Sequence, residues 1–361
     1  MLAAATPAPQ RPPQFVLLSF DMTPVAGRSV ETHRLWRLLV DVRAARPQGH
    51  AGPEASFTLF INTGYLQVDP RWVPPAGHPL EGKPPETWAR YLGPRPNRVG
   101  DVIRYAPSPE EARDKAARLL RFHAVGVELA SHGVLHDNGG QWTFEQWDEE
   151  FRRHQQTLDV LGLPRPRGFR APYLATGLER GPAADTPFVR ALVAHGMTYD
   201  SSTGWRGRSW PAPFPRTGVW NTPIGQTQDE AGRLALMFAD AGTFAEEDGY
   251  AEALRAEFQF RYDGARAPLV FGGHGERFGA IRKLMLTVCH LPDVRCTTHA
   301  EFADWMQKHG RPAAVAVQSA GTPPPAPTPV LRVAGRASPP GPVLLSSSRP
   351  GCLARAASCS P

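Results

Sequence analysis

Apolar positions along the chain fall into short blocks that switch between two periods. Phe15-Val-Leu-Leu-Ser-Phe20 is a continuous apolar run of strand length that closes on Asp21, the pattern of a strand buried on both faces. From Ser29 to Arg46 the period lengthens, and Leu35, Leu38, Leu39 and Val42 share one helical face. Ser56 to Ile61 returns to strand. Asn62 to Pro109, studded with Pro and Gly, is too long for an ordinary connection and reads as a functional or covering loop. A helix follows over Glu110–Phe122, then alternating strand from Val125 to Ala130. The next helix, Thr143–Leu161, carries Thr143 as N-cap and Gln146 as its capping-box partner. Arg167–Pro172 is strand-like, Thr186–His195 helical and Met197–Asp200 a strand. A second irregular insertion, Gly204–Thr243, holds short strands near Val219 and Leu234. Ala245–Tyr262 is helical, Pro268–Phe271 is a strand, Phe278–Cys289 is helical, and Val294–Thr297 leads into a last helix ending at His309.

Strands alternating with helices predict an α/β fold with parallel strands and helices outside. Composition sets its limits. The chain has 361 residues, 41% of them hydrophobic, and its 39 prolines are about twice the usual share. Residues 1–14 form a Pro-rich leader expected to be disordered. Residues 311–361 are rich in Pro, Ala, Ser and Arg, contain no Asp, Glu or Lys, and show no apolar period, so a disordered tail is expected there. The folded unit is placed at 15–310.

The tail also accounts for the charge. Its five arginines and Arg11 of the leader equal the formal net charge of +6, so the folded unit is close to neutral and no nucleic-acid partner is expected. Cys289, Cys296, Cys352 and Cys359 form two like-spaced pairs, and spacing alone does not say whether they are bridged. Cys289, His290, Cys296 and His299 have the composition of a zinc site but span a helix end, a strand and a helix start, which disfavours structural zinc. The N-terminus lacks the charged segment and long apolar run of a convincing signal peptide. No stretch is long enough to span a membrane.

Chemistry-bearing residues recur at the C-terminal ends of the predicted strands: Asp21, His132, Arg170, Asp200 and His274. In a parallel α/β barrel those ends converge on one face, where active sites lie. His132 and His136 are four apart; a helix would set both imidazoles on one face, and a loop can also bring them to one metal ion.

These stretches resemble the polysaccharide deacetylases, the NodB-homology family also called carbohydrate esterase family four. Ser19-Phe-Asp21, Ser131-His-Gly-Val-Leu-His136 and Arg170-Ala-Pro-Tyr173 are similar to its first three motifs. Asp200-Ser-Ser-Thr-Gly-Trp205 matches the fourth more loosely, and Gly273-His274 the fifth; the resemblance covers Phe15 to His309. It implies a distorted (β/α) barrel with fewer than eight strands and two long loop insertions. It also implies hydrolysis of N-acetyl or O-acetyl groups on a polysaccharide such as peptidoglycan or a chitin-like or capsular glycan. By that resemblance a divalent metal, Zn2+ first, sits on His132 and His136, Asp21 is the general base, Arg170 holds Asp21 by a charge-assisted pair, the Tyr173 N–H serves the oxyanion, and His274 protonates the leaving amine. Trp205 and Tyr173 would contact the glycan, with Trp142, Trp210 and Trp220 as further stacking candidates. The family points to a secreted or periplasmic location.

The first motif departs from the family pattern. Its second acid, the usual third metal ligand, is replaced by Met22 and Thr23, and Met is a soft ligand ill-suited to a hard site. Either Asp21 ligates the metal, or another acid such as Asp137 does, or metal binds weakly or not at all. Two other functions therefore stand beside deacetylation: an inactive or weak glycan-binding relative, and a hydrolase of a small non-sugar amide on the same barrel.

Overall fold

The apolar run at the start of the chain forms β1 (Gln14–Asp21), every residue of which is buried. The computed structural model describes residues 11–21, 30–47, 53–94, 105–178, 185–205, 208–228, 234–238 and 246–312. The order continues α1 (Arg34–Ala44), β2 (Thr58–Ile61), α2 (Pro109–Ala124), β3 (Glu128–Ser131), α3 (Phe144–Leu161), β4 (Gly168–Phe169), α4 (Pro187–Ala194) and β5 (Tyr199–Asp200). The second insertion contributes β6 (Gly204–Trp205), β7 (Ala212–Pro213), β8 (Trp220–Asn221), β9 (Ile224–Gln228) and β10 (Leu234–Leu236). Then come α5 (Glu247–Asp263), β11 (Leu269–Gly273), α6 (Phe278–Val288), β12 (Val294–Cys296) and α7 (His299–His309).

Parallel pairing runs in the order β11-β1-β2-β3-β4-β5-β8, with β7 antiparallel at the β8 edge. Among the described residues β11 and β7 do not pair, so the sheet is an open, curled half-barrel flanked by helices, as expected of a distorted barrel with insertions. Near its N-terminal end β1 pairs β12 (Val16 with Cys296), and towards its C-terminal end it pairs β2 (Asp21 with Phe60).

Strand parity divides the core. Val16, Leu18 and Phe20 of β1 pack with Leu35, Leu38 and Leu39 of α1 in the helix-side cluster, whereas Phe15 and Leu17 join Phe60, Ala130, Tyr199 and Val270 on the inner face. The side-chain period of a strand is two, so the inner-face parity that holds Leu17, Ala130 and Val270 also delivers Asp21, His132 and His274 to the inside. In β4 a Cβ on Gly168 would lie 2.0 Å from the Tyr199 ring; glycine there lets that ring fill the barrel.

The helices begin where their sequence signals lie. Thr143 and Gln146 form a complete capping box on α3, and Thr298 with Glu301 form another on α7. Leu35, Leu38, Leu39 and Val42 are the buried face of α1. Cys289 and Cys296 are joined by a disulfide that ties the end of α6 to β12, with a Cα–Cα separation of 5.4 Å; the zinc arrangement disfavoured above is thereby ruled out for this pair. Cys352, Cys359, Met22, Thr23 and residues 313–361 lie outside the described residues, as do residues 1–10 of the leader. No helix of the described residues is long and apolar enough to cross a membrane.

Candidate functional site

Beyond β3 the chain does not turn into helix. Gly133 (φ 78°) and His136 (φ 62°) are both left-handed, and the segment from His132 to His136 is a loop whose curl brings the two imidazoles to a ring-centroid distance of 5.0 Å. Both rings are buried. External bonds hold the loop. The His132 N–H donates to Ile61 O at 2.8 Å, Thr63 and Gly64 donate to the Gly133 and Val134 carbonyls at 3.1 and 2.9 Å, and the Asn62 amide donates to the His132 carbonyl. The start of the first long insertion therefore braces the histidine loop, and its Tyr65 and Tyr105 pack on Val134 and Leu135.

Arg170 is the hub. Its side chain is fully buried, and its Nη1 donates to Asp21 Oδ1 at 2.7 Å and to Ser19 Oγ at 2.8 Å. Nη2 donates to Ser201 Oγ at 2.8 Å and Nε to Ser201 O at 3.2 Å. The guanidinium carbon stands 4.1 Å from the Phe60 ring centroid, a cation–π contact. The Arg170 main chain serves the site separately, its carbonyl accepting from His132 Nδ1 at 2.7 Å. A carbonyl can only accept, so Nδ1 carries the proton and Nε2 of the neutral ring presents its lone pair. That Nε2 lies 3.9 Å from Asp21 Oδ2, the carboxylate oxygen turned away from the Arg170 contact.

Burial lowers the His132 pKa against the raising pull of Asp21. His136 is pushed down to about 4 by burial and by the neighbouring His132 and His274. Neutral imidazoles are what a metal ion requires of its ligands. Among the described residues His136 Nδ1 is buried without a hydrogen-bond partner, and 3.9 Å between His132 Nε2 and Asp21 Oδ2 is a gap that donors about 2.0–2.2 Å from one ion can span. Two imidazoles and a carboxylate form a donor set suited to Zn2+. Among the described residues no three His, Cys, Asp or Glu side chains, Asp137 included, are gathered closely enough to hold an ion; what fits a metal here is the chemistry of the donors His132, His136 and Asp21, not a formed cage.

After Arg170 the chain enters a tight turn. Ala171 is extended (φ −70°, ψ 136°), as a residue before Pro must be, and Tyr173 and Leu174 are left-handed at φ 57° and 55°. Such strain in bulky residues concentrates at functional sites. The turn's backbone bonds are those of Leu174 N–H to Ala171 O and Ala175 N–H to Pro172 O; the Tyr173 N–H takes no part in them. The Tyr173 ring is 62% exposed and lies 4.6 Å, centroid to centroid, from the His136 ring, beside the imidazole pair and open to solvent.

His274 follows β11, with its ring 5.2 Å from Phe238. Phe238 comes from the second insertion: β10 pairs β9, Gly272 N–H donates to Met237 O at 3.1 Å, and Phe238 bridges Gly272, so this insertion covers the free edge of β11. Asp200 does not face the imidazoles. It accepts from Ser202 Oγ, which in turn accepts the Ala171 N–H at 2.8 Å, so Asp200 supports the Tyr173 turn; burial pushes its carboxyl up to about 7.

The tryptophans divide differently from expectation. Trp210 stacks on Phe302 and Trp305 and Trp220 is core, so both fill interior space and are not open platforms, whereas Trp142 packs edge-on against Trp147 and is partly buried. The side chain of Trp205 lies outside the described residues. Sequence reasoning also passed over Ser19, Phe60, Ser201 and Ser202. Parity marked Ser19 and Phe60 as inward, since they share a face with Asp21 and Ala130; nothing local marked the two serines beyond the loose fourth motif.

Residues 100–199 match the family model described as polysaccharide deacetylase. A structure from Mycobacterium smegmatis, a polysaccharide deacetylase by assignment, is 15% identical with a TM-score of 0.53, over 86% of this chain and 98% of that one. A second from Pseudomonas aeruginosa, also so assigned, is 14% identical with a TM-score of 0.48, over 84% and 96%. A family 4 carbohydrate esterase from Streptomyces lividans, solved with acetate, is 14% identical with a TM-score of 0.40, over 83% and 97%. A search of the curated proteins found no match. The matched segment runs through the histidine loop, Arg170 and Tyr173, so this part of the chain is similar to the polysaccharide deacetylases, and the curled parallel sheet shares the fold of the Mycobacterium smegmatis structure.

Proposed function

We propose that the chain is a metal-dependent hydrolase that removes acetyl groups from an N-acetylated or O-acetylated polysaccharide such as peptidoglycan or a chitin-like or capsular glycan, outside the cytoplasm. One observation carries this reading: Asp21 is held by Arg170 through Oδ1 while Oδ2 is turned toward the lone pair of His132. A divalent ion on His132, His136 and Asp21 would polarise the acetyl carbonyl and lower the pKa of the attacking water. Asp21 accepts the water proton at its carboxylate, which the charge-assisted contact from Arg170 Nη1 holds in place. The Tyr173 N–H, left out of its own turn's bonding, donates to the carbonyl oxygen as charge develops there. His274 delivers a proton to the leaving amine or alcohol. Tyr173, exposed beside His136, offers a ring on which a sugar can rest; Trp205 is the second such candidate. The Cys289–Cys296 disulfide supports a secreted or periplasmic location, because such bonds persist in oxidising compartments.

The test is acetate release from acetylated oligosaccharides by purified protein, before and after chelation and again after Zn2+ is restored. Release that stops on chelation and returns with metal is expected; equal release throughout refutes metal dependence. A second reading, glycan binding without turnover, is favoured by Met22 and Thr23 in place of the usual second acid. Binding of the same oligosaccharides with no acetate released under any metal condition would establish it.

A further inference from the structure

Two side chains of α3 reach up beneath the histidine loop, and neither has a place in the chemistry above. Glu150 accepts the N–H of Val134, and His154 Nδ1 donates to the carbonyl of Gly133 at 3.0 Å. That N–H and that carbonyl belong to the same peptide unit, the one joining Gly133 to Val134. Residues four apart stand one above the other on a helix, so a single turn of α3 grips both polar edges of one peptide. The grip is close: a Cβ on Gly133 would lie 2.6 Å from Glu150 Oε1, and the left-handed φ of 78° is a second reason for glycine at that position.

We infer that Glu150 and His154 are positioning residues that hold the Gly133–Val134 peptide and thereby set the approach of His136 to His132. The inference rests on the metal-site reading of those two histidines. The segment between them is neither helix nor strand, so no repeating backbone ladder fixes it, and both His136 and Gly133 are left-handed. Rotation of the peptide unit would swing His136 away from His132. Thr63 N–H shares the Gly133 carbonyl at 3.1 Å, whereas among the described residues the Val134 N–H has Glu150 as its acceptor and no second one. His154 is itself locked by burial beneath the loop. The arrangement carries a penalty: burial pushes the Glu150 carboxyl up to about 7 and holds His154 down to about 4, whereas an apolar pair at these positions would leave the loop unheld.

The experiment compares wild type with Glu150→Ala, Glu150→Gln and His154→Ala, in two arms. Hydrogen exchange of the Val134 amide in metal-free protein reads the grip, and Zn2+ titration reads its consequence. A glutamine offers the same acceptor without charge, so Glu150→Gln should retain both protection and Zn2+ affinity. Glu150→Ala should lose protection at Val134 and bind Zn2+ about 10–100-fold more weakly, the usual cost of removing an outer-shell partner. His154→Ala should weaken binding in the same direction. Unchanged Val134 exchange in Glu150→Ala overturns the grip, and lost protection with wild-type Zn2+ affinity overturns its positioning role. If wild type binds no Zn2+, the metal-site reading fails, and with it the positioning role, while the exchange arm still decides the grip.

Discussion

Replacing Arg170 by Lys keeps the charge and tests the geometry. The guanidinium makes four hydrogen bonds, two from Nη1 to Asp21 and Ser19 and two to Ser201, over the Phe60 ring. An ammonium is a compact donor that can serve one side of this arrangement. If it keeps Asp21 and Ser19, both Ser201 oxygens lose their donor, and the Ser201 hydroxyl cannot turn to water because it is buried and already donates to Thr222 O at 2.8 Å. Each buried acceptor left unmet costs about 1–3 kcal/mol, so a stability loss of about 3 kcal/mol is expected. Asp21, no longer held by a donor that is itself anchored on Ser201, drifts, and a displacement near 1 Å is worth about a hundredfold in rate. Urea unfolding reads the first effect and acetate release the second. A loss below about 1 kcal/mol would refute the hydrogen-bond accounting. Full stability loss with wild-type rate would make Arg170 a structural residue only.

Four further outcomes are expected. His132→Ala and His136→Ala should each lower bound Zn2+ and acetate release together; unchanged metal content in either variant would remove that histidine from the site. Glu150 has its folded-state pKa raised from 4.5 to about 7, so the stability its proton supplies is present below about 4.5 and is lost as pH rises through about 7. Between pH 5 and pH 8 Glu150→Gln should therefore gain on wild type by at most about 3 kcal/mol in thermal melts, and a constant difference would show that the carboxyl is not desolvated. Replacing Cys289 and Cys296 by Ser should cost roughly 2 kcal/mol, because the cross-link closes only a short loop; a melting temperature insensitive to reductant would contradict this. Removing residues 311–361 should leave the melting temperature unchanged, since their composition offers no apolar period to anchor in a core.

Periodicity in the sequence determined the frame. The run at Phe15–Phe20, the helical face of Leu35, Leu38, Leu39 and Val42, and the Thr143–Gln146 capping box are local patterns, and each formed the element it predicted. Parity carried further: a period of two obliges Asp21 to share a face with Leu17, which is why the strand ends could be read as converging before any contact was known. Tertiary structure alone decided three things. The segment from His132 to His136 is a loop and not a helix, because Gly133 is left-handed and its peptide is gripped from α3, 16 to 21 residues further on. Trp210 and Trp220 are core because α7 and the inner face of the sheet meet there, a matter of which surfaces pack and not of residue type. The Ser201 bonds to Arg170 and the cover that Phe238 gives to β11 join residues 31 or more apart in sequence. A local pattern records only what neighbours along the chain demand of each other; contacts across the barrel depend on where the sheet curls, and curling is a property of all its strands together.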